Sequence, residues 1–190
     1  MSFLCKQLFK NKNINKCSTR SLFHWINIQF NAVDEDRRKD FGPDRTCAEW
    51  ILRNGGSVKF TKNGAPMADY NELPNEEIPL KLEEIHAINC SIMKNGFKHL
   101  DGCNYIKKII FHQCNYLEDE ALKDLMYVEK TLTHLQISNC GNITEKGLLY
   151  VHSLRNLKEF LFYDLPGVKD KDKLVQALKS NLPQTHISFK

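Results

Sequence analysis

A recurring six-residue segment constrains the fold of this chain more than any other feature of its sequence. The segment occurs four times, as IHAINC at 85–90, IIFHQC at 109–114, LQISNC at 135–140 and EFLFYD at 159–164. Its last residues are 24, 26 and 24 positions apart, at Cys90, Cys114, Cys140 and Asp164. Self-similarity at a period of roughly 20 to 29 residues, with a short strand that ends at Cys or Asn, is typical of the leucine-rich repeat.

Each predicted strand is followed by a loop and then by a helical segment. Thr144 and Asp170 precede two of the helical segments and are predicted N-caps. A single repeat cannot bury its apolar face, so the repeats must stack. The sequence therefore predicts an α/β fold, a leucine-rich-repeat solenoid of about four strand-loop-helix repeats over residues 84–190.

Alternate side chains of a strand point to opposite faces, so each segment has two inward positions. The predicted inward columns are Ile85, Ile109, Leu135, Glu159 and Ala87, Phe111, Ile137, Leu161. Glu159 fits the first column only near an end of the stack or if the last register is shifted. The closing residues are predicted to be structural, and they are Cys90, Cys114, Cys140 and Asp164. A buried cysteine there acts as a small hydrophobe with a weak S–H donor.

The outward strand positions predict a surface for partner binding. They are His86, Ile110, His112, Gln136, Ser138, Phe160, Phe162 and Tyr163. Several of these side chains are more apolar than exposure to solvent requires, which favours a protein contact. Two other interpretations remain open: the N-terminal segment covers these residues, or the register differs slightly.

Residues 1–22 carry five basic residues and no Asp or Glu, interleaved with apolar side chains. This pattern predicts a mitochondrial transit peptide, with a basic disordered tail as the alternative. Without residues 1–22, 22 Lys and Arg face 23 Asp and Glu, so the predicted mature chain is nearly neutral. A nucleic-acid partner, which requires a basic surface on the folded part, is not expected.

Residues 23–83 lack the repeat and are predicted to form a helical domain that caps the first repeat. Phe23, Ile26, Phe30 and Val33 recur at helical spacing, and Pro43 and Gly55 mark the two ends of a second helix. A solenoid needs such a cap on its first repeat. The first helix has an alternative role on a membrane surface or on a partner helix. Any membrane association is expected to be peripheral, since no apolar run reaches the roughly 18 residues of a spanning helix.

The sequence predicts a protein that is not an enzyme and has no small-molecule substrate. None of the motifs GxGxxG, GxxxxGK[ST], HExxH or GxSxG occurs. Five cysteines follow residue 22, an odd number without a CxxC pair, which favours neither a disulfide framework nor a zinc site. His86 and His112 are predicted to be surface residues and not metal ligands.

Several longer stretches point to a family. They are FNAVDEDRRKDFGPDRTCAEWILRNGGSVKF at 30–60, ADYNELP at 68–74, SIMKNGFKHLDG at 91–102, SNCGNITEKGL at 138–148 and RNLKEFLFYDLPGVKDKDKLVQALKSNLP at 155–183. They closely resemble the mitochondrial ATP synthase subunit s family, also called coupling factor B. The resemblance covers nearly all of the chain after residue 23, and its GPDR…EW.LR.G block is the specific part. It implies a short helical domain that caps about four leucine-rich repeats.

The resemblance also implies a function. Members of the family are regulatory proteins on the matrix side of the mitochondrial inner membrane, needed for coupled proton conduction by ATP synthase and proposed to block a proton leak. The implied partners are membrane-sector or stalk subunits of ATP synthase. Distal membrane-arm assembly proteins resemble this family, so a complex I assembly factor is the alternative. A second alternative is a leucine-rich-repeat adaptor of a ubiquitin ligase, which requires a cytosolic protein with an F-box-like N-terminus.

A hydrated magnesium ion is a further implication of the resemblance. The family holds Mg²⁺ through main-chain oxygens at two places that correspond to Gly55 and to about Ile88 of this chain. The family has a threonine at the second place, but carbonyl ligation does not depend on the side chain, and Mg²⁺ keeps several waters when protein ligands are few. A Cys-x-Cys dithiol of the family reads His112-Gln113-Cys114 in this chain.

Overall fold

The structure is a computed structural model that describes residues 16–61 and 64–189, with side chains from Leu22 onward. Residues 1–15 of the predicted transit peptide at 1–22 lie outside the described residues, residues 16–22 begin the first helix, and the cleavage stays a prediction. Three helices open the described part: α1 at Lys16–Phe30, α2 at Glu35–Phe41 and α3 at Pro43–Arg53.

Six strands form one sheet whose spatial order is the order in the sequence. The strands are β1 at Ser57–Phe60, β2 at Leu82–Ile88, β3 at Lys108–His112, β4 at His134–Ser138, β5 at Glu159–Tyr163 and β6 at His186–Phe189. β1 pairs antiparallel with β2, and every later pair is parallel. The predicted α/β class is confirmed, and β6 is a strand that the repeat did not predict.

Short helical segments connect the strands. The α-helices are α4 at Asp119–Lys123, α5 at Glu145–Leu149 and α6 at Lys171–Asn181. The 3₁₀ segments are Tyr70–Glu72, Lys94–Leu100, Asp124–Val128 and Tyr150–Ser153. Both predicted N-caps are confirmed, since the side chains of Thr144 and Asp170 accept hydrogen bonds from the amides of Lys146 and Lys173. Each connection therefore returns the chain to the same edge of the sheet, where the next parallel strand begins.

A residue in the left-handed region follows each of β2 to β5. These residues are Asn89, Gln113, Asn139 and Asp164, with φ between 49° and 56°. The first three donate their amides to the carbonyl of the last residue of the next strand, at 2.8 to 3.1 Å. The next residue in each case is buried, and these residues are Cys90, Cys114, Cys140 and Leu165. The turn geometry is therefore the same after four successive strands.

The last strand has a different register from the one expected. Leu135 pairs with Phe160 and Ile137 pairs with Phe162, so the inward residues of β5 are the two phenylalanines. Phe160 and Phe162 are 0% and 1% exposed, and their predicted outward position is wrong. Asp164 is exposed at the left-handed position, so its predicted role as the closing residue is also wrong. Glu159 does not enter the core, because the register is shifted by one residue.

The GPDR sequence at 42–45 joins the helices to the sheet. Gly42, with φ 82°, is the single residue between the end of α2 at Phe41 and the start of α3 at Pro43. The Asp44 carboxylate accepts a hydrogen bond from the Leu82 amide at 2.7 Å, at the start of β2. The Arg45 guanidinium donates to the carbonyls of Pro74 and Asn75 at 2.9 and 2.7 Å. α3 is thereby fixed against both β2 and the loop that precedes it.

The helices and the sheet share one apolar core. Trp50 of α3 contacts Phe97 edge-on, with ring centroids 5.9 Å apart, and Phe97 contacts Phe111 of β3 at 5.7 Å. Ile85, Ile109 and Ile137, together with Leu125 and Leu148 from the connections, are each at most 1% exposed. Among the N-terminal helices, α3 contributes buried side chains to this core and α2 contributes none.

Candidate functional site

One face of the sheet points away from the core, and we call it the open face. It comprises Lys59, Glu84, His86, Ile88, Lys108, Ile110, His112, His134, Gln136, Ser138, Glu159, Leu161, Tyr163, His186 and Ser188. All of these side chains except Ser138 are at least partly exposed. The strand alternation that buries Ile109 and Phe111 leaves their neighbours on the open face.

A charged row crosses the open face at the start of the strands. Lys59, Glu84, Lys108, His134, Glu159 and His186 follow one another across the sheet by register. The Glu84 carboxylate lies 2.6 Å from Lys59 Nζ and 3.7 Å from Lys108 Nζ. Burial alone would raise the pKa of Glu84, but hydrogen bonds from Lys59 and His86 lower it to about 2. Glu84 is thus ionised at any physiological pH.

A hydrogen-bonded network occupies the ends of the middle strands. His112 Nδ1 lies 2.8 Å from Ser138 Oγ, and Gln136 Nε2 donates to Ser138 Oγ at 3.1 Å and to the Tyr163 hydroxyl at 3.3 Å. The His112 and Tyr163 rings have centroids 6.4 Å apart and cover the serine. Ser138 is fully buried beneath them, so its predicted direct contact with a partner is wrong. Its hydroxyl holds His112 and Gln136 in place.

Three apolar side chains complete the open face. Ile88 is 50% exposed at the end of β2, while Ile110 and Leu161 are half-buried. The combination of apolar side chains, a polar network and a charged border is characteristic of protein-protein interfaces. The arrangement can bind a protein surface.

The structure brings together five of the eight residues predicted for partner binding: His86, Ile110, His112, Gln136 and Tyr163. The prediction missed Leu161, which it assigned to the core, and the charged row. His134 directly precedes the recurring segment LQISNC at 135–140, and extending the predicted strand by one residue would have included it. Lys59 and His186 come from β1 and β6, which lie outside the repeated segments, so repeat spacing gave no signal for them.

The two residues implied for magnesium lie on either side of the pairing between β1 and β2. Gly55 comes two residues before Ser57, which pairs with His86, and Ile88 comes two residues after His86. Gly55 is exposed, with φ 88° and no atom within 4 Å of the position that a Cβ would take. The Ile88 carbonyl accepts a bond from Cys90 Sγ at 3.4 Å. The Gly55 carbonyl in an exposed turn and the Ile88 carbonyl at the end of β2 are main-chain oxygens of the kind that a hydrated Mg²⁺ accepts as ligands. Among residues 16–61 and 64–189, no three His, Cys, Asp or Glu side chains cluster as metal ligands.

A second apolar surface lies on α1. Leu22, Phe23, Trp25 and Phe30 are 47% to 58% exposed. Beside them an open groove of about 690 Å³ separates α1 from the connections, with His24, Ile28, Met93, Lys94, Tyr116 and Tyr127 among its lining residues. None of the helices in the described part of the chain has the length and apolarity to cross a membrane. The predicted apolar stripe of α1 thus lies largely on the surface, not in the core.

Comparisons with known proteins give close relatives over most of the chain. The chain is 41% identical to ATP synthase subunit s, mitochondrial, of Bos taurus over 175 residues, covering 90% of the chain and 88% of the relative. It is also 41% identical to the Homo sapiens protein of the same name over 177 residues, covering 91% and 88%. A more distant relative is Distal membrane arm assembly component 2 of Drosophila melanogaster, 24% identical over 157 residues, with 80% of the chain and 55% of the relative covered. No family profile matches the chain.

Proposed function

The chain belongs to the mitochondrial ATP synthase subunit s family, and from that premise we propose that it is a non-catalytic coupling factor of ATP synthase. In this role it supports coupled proton conduction and limits proton leak by protein contact. The observation that carries the proposal is the open face, a sheet surface that no other described part of the chain covers, in a protein whose relatives are named as subunits of an assembly. Its partner is a membrane-sector or stalk subunit.

The proposed location is the matrix side of the mitochondrial inner membrane. Residues 1–22 are the proposed transit peptide, because they are basic and contain no acidic residue. Association with the membrane is peripheral, and α1 is the element that favours it. Its exposed Phe23, Trp25 and Phe30 are the aromatic side chains that prefer a membrane-water interface.

We propose that the sheet and its connections are a short leucine-rich-repeat solenoid over residues 84–190, capped by residues 23–83. The repeated left-handed turn after β2, β3, β4 and β5 supports this assignment. So does the buried residue that follows each turn, which is cysteine three times and leucine once. The antiparallel β1 and the packing of Trp50 on Phe97 support the cap.

A hydrated Mg²⁺ is proposed at the main-chain oxygens of Gly55 and Ile88. When bound, the ion would link the turn after α3 to the end of β2. Adding Mg²⁺ to the chain should shift the amide NMR signals of Gly56 and Asn89, which follow the two carbonyls. Unchanged signals at both positions would contradict the site.

Depletion of the protein from mitochondria tests the proposed function. Phosphorylating respiration should fall while complex I activity stays normal, and wild-type protein should restore it. Ile88→Glu is expected to fail in this rescue, because it places a charge among the apolar side chains of the open face. Leu149→Glu is the matched control, since Leu149 is a similarly exposed aliphatic residue on α5, away from the open face. Full rescue by Ile88→Glu would show that the open face is not the surface that binds the partner.

The second candidate function is assembly of the membrane arm of respiratory complex I. The identity to Distal membrane arm assembly component 2 is the observation that favours it. Depletion separates the two functions, because an assembly factor predicts loss of assembled complex I with normal ATP synthase coupling. That result would replace the first proposal by the second.

A further inference from the structure

Four of the chain's seven histidines lie on the open face. His86, His112, His134 and His186 come from β2, β3, β4 and β6, and all four point away from the core. His86 lies within β2, His112 is the last residue of β3, and the other two lie in the charged row. An imidazole changes its charge between about pH 5 and pH 8, unlike the other side chains of this face. The open face therefore holds a concentration of groups that can gain charge together.

Two of these histidines lie next to carboxylates. His86 Nε2 is 2.9 Å from Glu84, whose other partners are Lys59 and Lys108. His134 Nε2 is 3.7 Å from Glu159, and its Nδ1 is 2.8 Å from Thr133 Oγ1. Lys108 lies opposite His134 on β3. Both imidazoles thus have one acid and at least one base in their surroundings.

The other two histidines have mainly neutral neighbours. His112 faces the Ser138 hydroxyl and the Tyr163 ring, with Ile88 opposite on β2. His186 Nε2 is 3.0 Å from Ser188 Oγ, and Glu159 pairs with His186 on β5. His186 is exposed. Protonation of His112 adds positive charge with no carboxylate among these neighbours, whereas His186 has Glu159 opposite on β5.

With neutral imidazoles, the strand side chains of the open face carry no net charge. Lys59 and Lys108 balance Glu84 and Glu159. Protonation of all four histidines changes the net charge to +4. The low pKa of Glu84, about 2, keeps its carboxylate ionised throughout, so this anion does not vary with pH near neutrality. The net charge of these strand side chains then depends on how many of the four histidines are protonated.

We propose that the open face binds an acidic segment of a partner protein and that the histidines make this binding tighten as the pH falls. Partner carboxylates favour the protonated imidazoles, so binding takes up protons. The inference rests on the proposed function for the identity of the complex that carries the segment. It adds the chemistry of the segment and the response of the complex to pH.

A protein segment fits this face better than a lipid surface. The polar centre, where Gln136 and Tyr163 present amide and hydroxyl groups, matches a polypeptide backbone. The apolar side chains of this face are aliphatic, and they are Ile88, Ile110 and Leu161. The most exposed aromatic side chains of the described residues, Phe23, Trp25 and Phe30, are on α1 and not on this face.

Binding of a fluorescein-labelled oligoglutamate peptide to the full chain tests the inference. Fluorescence anisotropy should show that the affinity rises about tenfold between about pH 8 and pH 6, the sum expected from four individually weak exposed ion pairs. An oligolysine peptide should show no such rise. Equal affinity for oligoglutamate at both pH values would overturn the inference.

Glutamine substitutions identify the responsible residues. The combined variant His86→Gln, His112→Gln, His134→Gln, His186→Gln should bind oligoglutamate with the same affinity at both pH values. The matched control is His24→Gln with His152→Gln, two exposed histidines away from the open face, and it should keep the full response. If the combined variant does not fold, His134→Gln with His186→Gln changes only the two histidines of the charged row and should halve the response on a logarithmic scale. A full response in either open-face variant would overturn the inference.

Two further measurements separate this inference from the proposed function and from lipid binding. Membranes that contain ATP synthase should bind the chain more tightly at the lower pH. Binding that does not change with pH contradicts the inference alone, whereas no binding at either pH contradicts the proposed function and leaves oligoglutamate to decide the inference. If the chain binds vesicles of anionic phospholipid and this binding requires the four histidines, the ligand of the open face is a lipid surface and not an acidic protein segment.

Discussion

Asn31 connects three parts of the molecule through one side chain. Its Oδ1 accepts hydrogen bonds from Trp50 Nε1 and from the Met93 amide, both at 2.9 Å. Its Nδ2 donates to the Ser91 carbonyl at 2.9 Å and to Asn54 Oδ1 at 3.2 Å. Asn31 has no exposed surface. The amide therefore joins the end of α1 to α3 and to the first connection after β2.

Asn31→Leu is expected to destabilise the protein by about 3 kcal/mol, because it leaves several buried donors and acceptors without partners. The free energy of unfolding from urea titration measures the effect. Asn95→Ala is the control, since Asn95 is exposed and donates one long bond, of 3.3 Å, to the Ile28 carbonyl. Similar small losses for both variants would contradict the role assigned to Asn31.

His99 is a histidine that the fold keeps neutral. It is 6% exposed and stacks on Trp50, with ring centroids 5.3 Å apart. Burial lowers the pKa of His99 to about 4, although a hydrogen bond to the Ala32 carbonyl acts in the opposite direction. In the unfolded chain histidine takes up a proton near pH 6.5. The unfolded state therefore binds more protons than the folded state between these two pH values.

The stability of the protein should fall as the pH drops from about 6.5 to about 4, by on the order of 3 kcal/mol from His99 alone. His99→Phe keeps an aromatic ring on Trp50 and should lose this part of the pH dependence. Urea titrations at several pH values in this window give the comparison. His152→Gln, at an exposed site, should behave like the wild type, and an unchanged pH dependence in His99→Phe would show that His99 is not the group responsible.

Periodicity could not have found Asn31 or His99. A spacing pattern identifies faces of helices and strands, whereas the partners of Asn31 lie as far as 62 residues away in the sequence. The alternation within IIFHQC was enough to assign Phe111 to the core and His112 to the surface, because successive side chains of a strand point to opposite faces of the sheet.

Each parallel strand buries side chains on one face of the sheet, and β3 buries two, Ile109 and Phe111. Phe111→Ala should reduce the free energy of unfolding by about 3 to 5 kcal/mol, because it opens a cavity next to Phe97. Ile110→Ala is the matched control on the same strand, with its side chain on the open face. The control should lose much less stability. Equal losses would mean that both faces of β3 are buried.

The register of β5 is the clearest failure of the sequence pattern at this scale. In EFLFYD three consecutive apolar residues, Phe160, Leu161 and Phe162, give no alternation, so either phase is possible. The absence of a cysteine removed the marker that fixed the phase of the earlier segments. Leu165 supplies the buried side chain instead. β6 was missed because it follows α6 without a recurring segment of its own.

The helix α3 and the strand β1 form part of the same core as the later strands. A shortened chain that begins at Lys81 lacks Trp50, Val58 and Phe60, which are all at most 4% exposed in the fold. This chain should fail to unfold cooperatively in thermal denaturation followed by circular dichroism, because the buried face next to β2 is left open. A chain that begins at Phe23 is the control and should unfold in one cooperative transition. Cooperative unfolding of the shorter chain would show that the repeats fold without their cap.

At the scale of the whole molecule, the sequence was sufficient for the α/β class and for the strands that carry the repeat. A regular period fixes local conformation and neighbour pairing because each unit contacts the next one. The open face as a whole was not predictable, since Lys59 and His186 join it only through the two outer strands of the sheet. Pairings outside the repeat depend on tertiary contacts that no spacing encodes.

The sheet places its strands side by side in the order in which the ribosome makes them. The helices and β1 are synthesised first, and each later strand then finds the edge of the preceding one already formed. Parallel partners lie only about one repeat apart in sequence, as for Ile85 and Ile109 or Ile109 and Leu135. Each such pairing closes a loop of about one repeat, so the loop-closure entropy is similar at every step. The molecule can therefore assemble progressively from its amino-terminal end, extending its hydrophobic core by one unit at a time.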